Sequence, residues 1–142
     1  MKKKLPIRVV VVLLCAAMLC GVPAHAAETR ASERIDLSAS TIEKTSSGYL
    51  LAYFMVQAND VMDVIGATSV EIQRYSLFNW VTEYTFTSED IPELLTTNDR
   101  RHSTGLRYTP LFPNSTYRAV ANIYAKDARG TSTQWLPSSP TT

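Results

Sequence analysis

LFPNSTYRAVANIYAKDARG, residues 111–130, reads as a complete strand with a corner before it and a turn after it. Tyr117, Ala119, Ala121, Ile123 and Ala125 recur at every second position, and Arg118, Val120, Asn122, Tyr124 and Lys126 fill the positions between. That is the period of a strand with one face buried and one solvated. Pro113, Asn114 and Ser115 supply turn chemistry before it, and Asp127, Ala128, Arg129 and Gly130 supply a hairpin loop after it. Asn114-Ser115-Thr116 also fits a glycosylation sequon, but its place in the corner accounts for it fully.

The chain on the N-terminal side repeats the pattern. Val70 and Ile72 alternate with Ser69, Glu71 and Gln73, Tyr75 is in phase with the polar set, and a loop over Ser76 to Asn79 leads into WVTEYTF, a further strand begun by Trp80. Tyr49 to Ala58 is more apolar: Leu50, Ala52, Phe54, Val56 and Ala58 form one face, and Tyr49, Leu51, Tyr53 and Met55 form the other. A strand apolar on both faces is central, covered, or exposed as a contact surface. Ile35, Leu37, Ala39 and Thr41 mark a first strand.

The joining segments suggest connectors. Asn59 to Ala67, NDVMDVIGA, carries Asp60, Asp63 and Gly66 without the ligand spacing of a calcium loop, and one helical turn with Val61, Met62 and Ile65 inward explains it better. Ser88-Glu89-Asp90-Ile91-Pro92 reads as a helix start, with Ser88 as cap and Leu94 and Leu95 turned inward. Arg100-Arg101-His102 reads as a solvated loop before a strand over Thr104 to Thr109. Asp99, His102 and a serine could be assembled into a catalytic triad, but no nucleophile elbow accompanies them.

The strand over 117–126 resembles strand F of a fibronectin type III domain, through Leu111, Ser115 two residues before Tyr117, the alternation that follows, and the Gly closing the next turn. Gly130 lies about two residues later than in that pattern. The strand, loop and Trp-led strand over 68–86 extend the resemblance to most of residues 48–132. It implies an antiparallel β-sandwich of fibronectin type III/immunoglobulin-like type, with Tyr117 as a corner tyrosine and Trp80 in the core. The mature chain, with its MDVIGA turn, Trp-led strand, IPELL connector and YRAVANIYA strand, is also similar to a family of short secreted proteins of Gram-positive bacteria with no assigned activity. That resemblance implies the compartment and a single domain, and no catalytic residue.

Residues 1–26 read as a signal peptide: Lys2, Lys3, Lys4 and Arg8, an apolar run of 12 residues from Val9 to Cys20, and the cleavage site Ala24-His25-Ala26. A membrane anchor would need about 20 apolar residues, and Ala17-Met18-Leu19 before Cys20 is not the lipobox of a lipoprotein. Cleavage leaves 116 of the 142 residues, enough for one domain. The expected division is a leader over 27–33, a β-sandwich over 34–136 and a disordered tail over 137–142. Cys15 and Cys20 leave with the signal, so the mature chain has no disulfide. All 13 acidic residues stay while 4 of the 14 basic ones leave, a balance of −3. That excludes a nucleic-acid partner and offers no case for electrostatic docking on anionic lipid.

No catalytic, cofactor-binding or metal-ligating set is expected, and no membrane span remains after cleavage. Two function classes stand: a secreted or envelope-associated, non-enzymatic binding or interaction module, or else an extracellular polymer hydrolase or inhibitor-like protein. If the two central strands are neighbours, as the resemblance implies, then Gln73, Tyr75, Arg118, Asn122 and Tyr124 share one solvent face suited to a glycan or a protein edge. Ordinary cross-strand pairing explains the same residues. Tyr49, Leu51, Tyr53 and Met55 form the rival surface, which a dimer or a folded-back N-terminal segment could cover.

Overall fold

The computed structural model describes residues 33–141; the expected signal peptide and most of the expected leader lie outside them. Strand β1 spans Ile35–Lys44, β2 Leu50–Ser76, β3 Asn79–Thr87, β4 Leu95–Tyr108, β5 Tyr117–Asp127 and β6 Gly130–Pro137. All pairings are antiparallel, so the fold is all-β. None of the described residues forms a helix long and apolar enough to cross a membrane.

The 27-residue β2 organises the sheet. Over Leu50 to Ala58 it lies between β1 and β4, and from Ser69 to Arg74 between β3 and β5, with β6 beyond β5. Asn59 to Ala67, expected to make a helical turn, instead stays extended. Val61, Val64 and Ile65 are β-branched and favour that state. The Asp60 carboxylate accepts a hydrogen bond from the Val61 amide at 2.7 Å, a local bond compatible with a kink in a strand. The ladder with β4 jumps from Gln57↔Arg101 to Met62↔Asp99, and the ladder with β5 shifts between Ala67 and Ser69. These irregularities bend one strand into two differently partnered halves.

Burial loses its period of two at the second irregularity, where Ile65, Gly66 and Ala67 are all buried. Gly66 has φ +147° and lies directly under the short 3₁₀ turn Pro92–Leu94. That turn is all the IPELL segment makes of its expected helix. Ser88 does not cap it; Thr87 exchanges hydrogen bonds with Asp90, and Leu94 alone is driven inward while Leu95 opens β4. Arg100-Arg101-His102 also lies within β4, with Arg101 opposite Gln57 and His102 opposite Val56. A loop is excluded because these residues flank the most apolar part of β2 and complete its ladder.

The core comes from both halves of β2, including Leu50, Phe54, Val56, Ile65, Val70 and Ile72, and from Tyr117, Ala119, Ala121, Ile123 and Ala125 of β5. The alternation read for β5 is its burial pattern except at Val120, which was expected on the solvated face and is 6% exposed. At the corner, Tyr117 is 1% exposed. Its hydroxyl donates to the Glu83 carboxylate at 3.0 Å and lies 3.3 Å from both the amide and the carbonyl of Phe112. Glu83 also takes a 2.6 Å bond from the Arg74 guanidinium and one from the Tyr108 hydroxyl at 3.3 Å, and its side chain is 6% exposed.

A bulge explains how so polar a residue arrives there. Ile72 pairs with Tyr84 and Gln73 with Thr82, so Glu83 is the extra residue and is turned inward. The same bulge overturns the expected burial of Trp80. Tyr84 and Phe86 share the face of the buried Ile72 and Val70, whereas Trp80 and Thr82, beyond the extra residue, share the outer face of Tyr75 and Gln73.

The final residues also depart from expectation. The Ser138 amide donates to the Ala119 carbonyl and the Thr141 amide to that of Tyr117, both at 2.8 Å, while the hydroxyls of Ser138 and Thr141 accept from the same two residues' amides. Ser138 and Thr141 are buried. The segment after Pro137 thus continues the pairing of β5, its hydroxyls serving where prolines interrupt a regular ladder. At the opposite end of β5, Asp127 holds the hairpin: one oxygen accepts from Arg34 Nε and the Arg129 amide, each at 2.9 Å, the other from the Arg129 guanidinium. Arg34, then Arg129, keeps this carboxyl well below the usual aspartate range.

Candidate functional site

The outer face of the second half-sheet carries the five residues expected to form a ligand surface. Gln73 and Tyr75 lie on β2, Arg118, Asn122 and Tyr124 on β5, and Gln73 pairs directly with Arg118. Arg118 Nε donates to Gln73 Oε1 at 2.9 Å. The other end of the Gln73 amide donates to Glu71 at 2.7 Å and to the Thr82 hydroxyl at 3.3 Å, and that hydroxyl donates to Glu71 at 2.9 Å. The Arg118 guanidinium lies 4.4 Å from the centroid of the Trp80 ring, which in turn tilts against Tyr75 at 5.3 Å.

Glu71, Gln73, Tyr75, Trp80, Thr82 and Arg118 are thus one connected surface cluster. Asn122 and Tyr124 are on the same strand but apart from it: Asn122 is four residues beyond Arg118, about 13 Å along β5. There it faces Trp135 of β6, which is 59% exposed, while Tyr124 faces Thr133. Glu71, Thr82, Trp80 and Trp135 belong to this face but were not assigned to it from sequence. Glu71 shares a strand face with Gln73 at a spacing of two, which was a readable signal; the bulge that turns Trp80 outward was not.

The rival surface occupies the outer face of the first half-sheet. Leu51 and Tyr53 are 39% and 44% exposed, and Leu37 of β1, at 50%, lies farther along the same face opposite Gln57. The Arg107 guanidinium lies 3.6 Å from the centroid of the Tyr49 ring. Gly105 lies opposite Tyr53 in the ladder.

Asp99 and His102 do not meet as a catalytic pair. Asp99 accepts from the amides of Arg100 and Arg101 at 2.7 and 3.1 Å. His102 Nε2 is 2.8 Å from the Glu93 carbonyl, to which it donates as the Nε2–H tautomer, and the ring stands edge-on to Phe54 at 5.9 Å. These contacts tie the 3₁₀ turn to β4. Among the described residues, no group of three or more His, Cys, Asp and Glu side chains is arranged to hold a metal ion.

With its outer-face position, Trp80→Ala is expected to cost only about 1 kcal/mol, through lost cross-strand and cation–π contacts, rather than the several kcal/mol of a core deletion. Urea unfolding measures this. A midpoint shift equivalent to about 3 kcal/mol or more would return Trp80 to the core.

Comparison with protein-family models, with curated protein sequences and with solved structures finds no match to the chain.

Proposed function

We propose that the protein is a secreted, non-enzymatic binding module with a fibronectin type III-like sandwich fold, of the kind represented by the short Gram-positive secreted proteins it resembles. The fold reading draws support from the pairing: β4–β2–β1 in one half, β3–β2–β5–β6 in the other, and a tyrosine hydroxyl bonded to backbone at the corner.

The observation that carries the functional reading is the hydrogen-bonded series Glu71–Thr82–Gln73–Arg118, with Trp80 and Tyr75 stacked beside it. Ordering long polar side chains at an interface costs roughly 0.5–1.5 kcal/mol each. In this cluster, Gln73 and Arg118 are held before any ligand arrives. Tyr75, 46% exposed, offers a ring and a hydroxyl with few rotors to freeze. Such a surface suits a glycan chain or the edge of a protein.

Incubating residues 27–142 with cell-wall glycan and with mucin, while assaying released products, tests the class. Retention on one polymer with no hydrolysis is the expected result. Turnover would make the protein an enzyme.

A further inference from the structure

The turn between β2 and β3 contains only Leu77 and Phe78, with φ +49° and +68°. Two-residue turns with both φ values positive favour Asn-Gly or similar pairs, because other side chains are strained in that region. Leu77 and Phe78 are also 90% and 91% exposed. The fold therefore strains two large apolar residues and gains almost no burial from them.

The surroundings are organised around this tip. Immediately behind it is the cross-strand pair Tyr75↔Trp80, about 7 Å back at the rise of a strand. A second exposed Leu-Phe pair, Leu111 at 73% and Phe112 at 50%, lies at the same end. Its loop is tied to β2 by the Tyr75 amide, which donates to the Thr116 carbonyl at 2.9 Å, and by Arg74, whose guanidinium is 4.2 Å from the Phe112 ring centroid. Lys44, which donates to the Pro113 carbonyl, Arg107 and Arg118 form no ion pair among the described residues, whereas Arg74 and Glu83 neutralise each other. Two acids accompany them without ion pairs of their own, exposed Glu43 next to Lys44 and Glu71, joined to Arg118 through Gln73.

We infer that this end docks on a phospholipid bilayer, with Leu77 and Phe78 entering the boundary between headgroups and acyl chains. An amphipathic element sits about 5–10 Å into that boundary, which places Tyr75 and Trp80 at the headgroup level that such side chains favour. The unpaired cations then face lipid phosphates. The overall charge of the mature chain does not drive the contact; the apolar tip does. A protruding tip has apolar surface on all sides, and a fluid apolar medium covers all of it where a flat protein surface would not. Tyr75, Trp80 and Arg118 also belong to the ligand cluster, so bilayer and ligand compete for them, whereas Leu77 and Phe78 serve the bilayer alone.

Residues 27–142 are sedimented with phosphatidylcholine vesicles, with and without phosphatidylglycerol. The wild-type chain is expected to partition onto both, more strongly onto the anionic mixture. Leu77→Asn with Phe78→Gly installs the residues that the turn geometry favours, so this variant keeps its fold and loses at least about tenfold in partitioning. Val61→Ser, exposed and sixteen residues from the tip along β2, leaves partitioning unchanged. A wild-type chain that stays in the supernatant at both compositions overturns the inference and leaves the tip to a concave protein partner. Undiminished partitioning of the Asn-Gly variant overturns it as well.

Discussion

Gly66→Ala is expected to remove much of the protein's stability. A Cβ at this position would lie 2.1 Å from the Leu94 carbonyl oxygen, 2.9 Å from Leu95 Cα and 3.0 Å from the His102 ring, at a φ of +147° that side chains rarely adopt. Two of those three neighbours are backbone, so relief requires moving the 3₁₀ turn away from β2 and opening the core around Leu94. The cost should be on the order of 4 kcal/mol or more, against the roughly 5–10 kcal/mol that stabilises a domain of this size. Gly105→Ala is the matched control: its nearest neighbour is Tyr53 Cδ2 at 3.9 Å, so the change should be neutral or slightly stabilising. Equal urea midpoints for the two variants would contradict the close approach at Gly66.

Tyr117→Ala is expected to have the next largest effect. It removes a ring that is 1% exposed, a loss of about 3–5 kcal/mol, and takes from the buried Glu83 carboxylate one of its three partners. Tyr117→Phe keeps the ring and should cost about 1–2 kcal/mol, which isolates the hydroxyl's share. Alkaline titration provides a second readout. Burial first, then Glu83, pushes the Tyr117 hydroxyl from 10.0 up to about 12 against the opposing hydrogen bond that the Phe112 amide donates to it, and burial and Glu83 also raise Tyr108. A phenol harder to ionise folded than unfolded contributes stability below pH 10 that is lost as pH rises toward 12. The wild type should weaken across that window, and Tyr117→Phe should weaken less.

What could be read from the amino acids depended on whether a residue's neighbours followed its local period. β5 was legible because it lies against one core, and its small residues Ala119, Ala121 and Ala125 are buried with Tyr117 and Ile123. Gln73 and Arg118 lie opposite each other because no bulge separates them in the β2–β5 ladder. β3 was misread because one inserted residue, Glu83, divides Trp80 from Phe86, and an insertion of one reverses every following side chain. The continuity of β2 was hidden by Asn59, Asp60, Asp63 and Gly66, which carry turn chemistry, whereas the pairing that keeps them extended comes from β4 and β5 far along the chain. The β2–β3 turn was located, but nothing local signals that Leu77 and Phe78 take positive φ. The tail's burial depends on hydroxyls meeting β5, a contact no proline-rich segment announces by itself.

The proposed binding face is tested most directly by a pull-down of residues 27–142 on cell-wall glycan and mucin, comparing wild type with Tyr75→Ser combined with Tyr124→Ser. Both rings lie on the outer face, so the double variant should unfold within about 1 kcal/mol of wild type. Wild type is expected to be retained on one of the polymers and the still-folded double variant to pass through. Retention of the double variant at wild-type strength would contradict a binding role for this face and direct attention to Leu51 and Tyr53 on the other half-sheet.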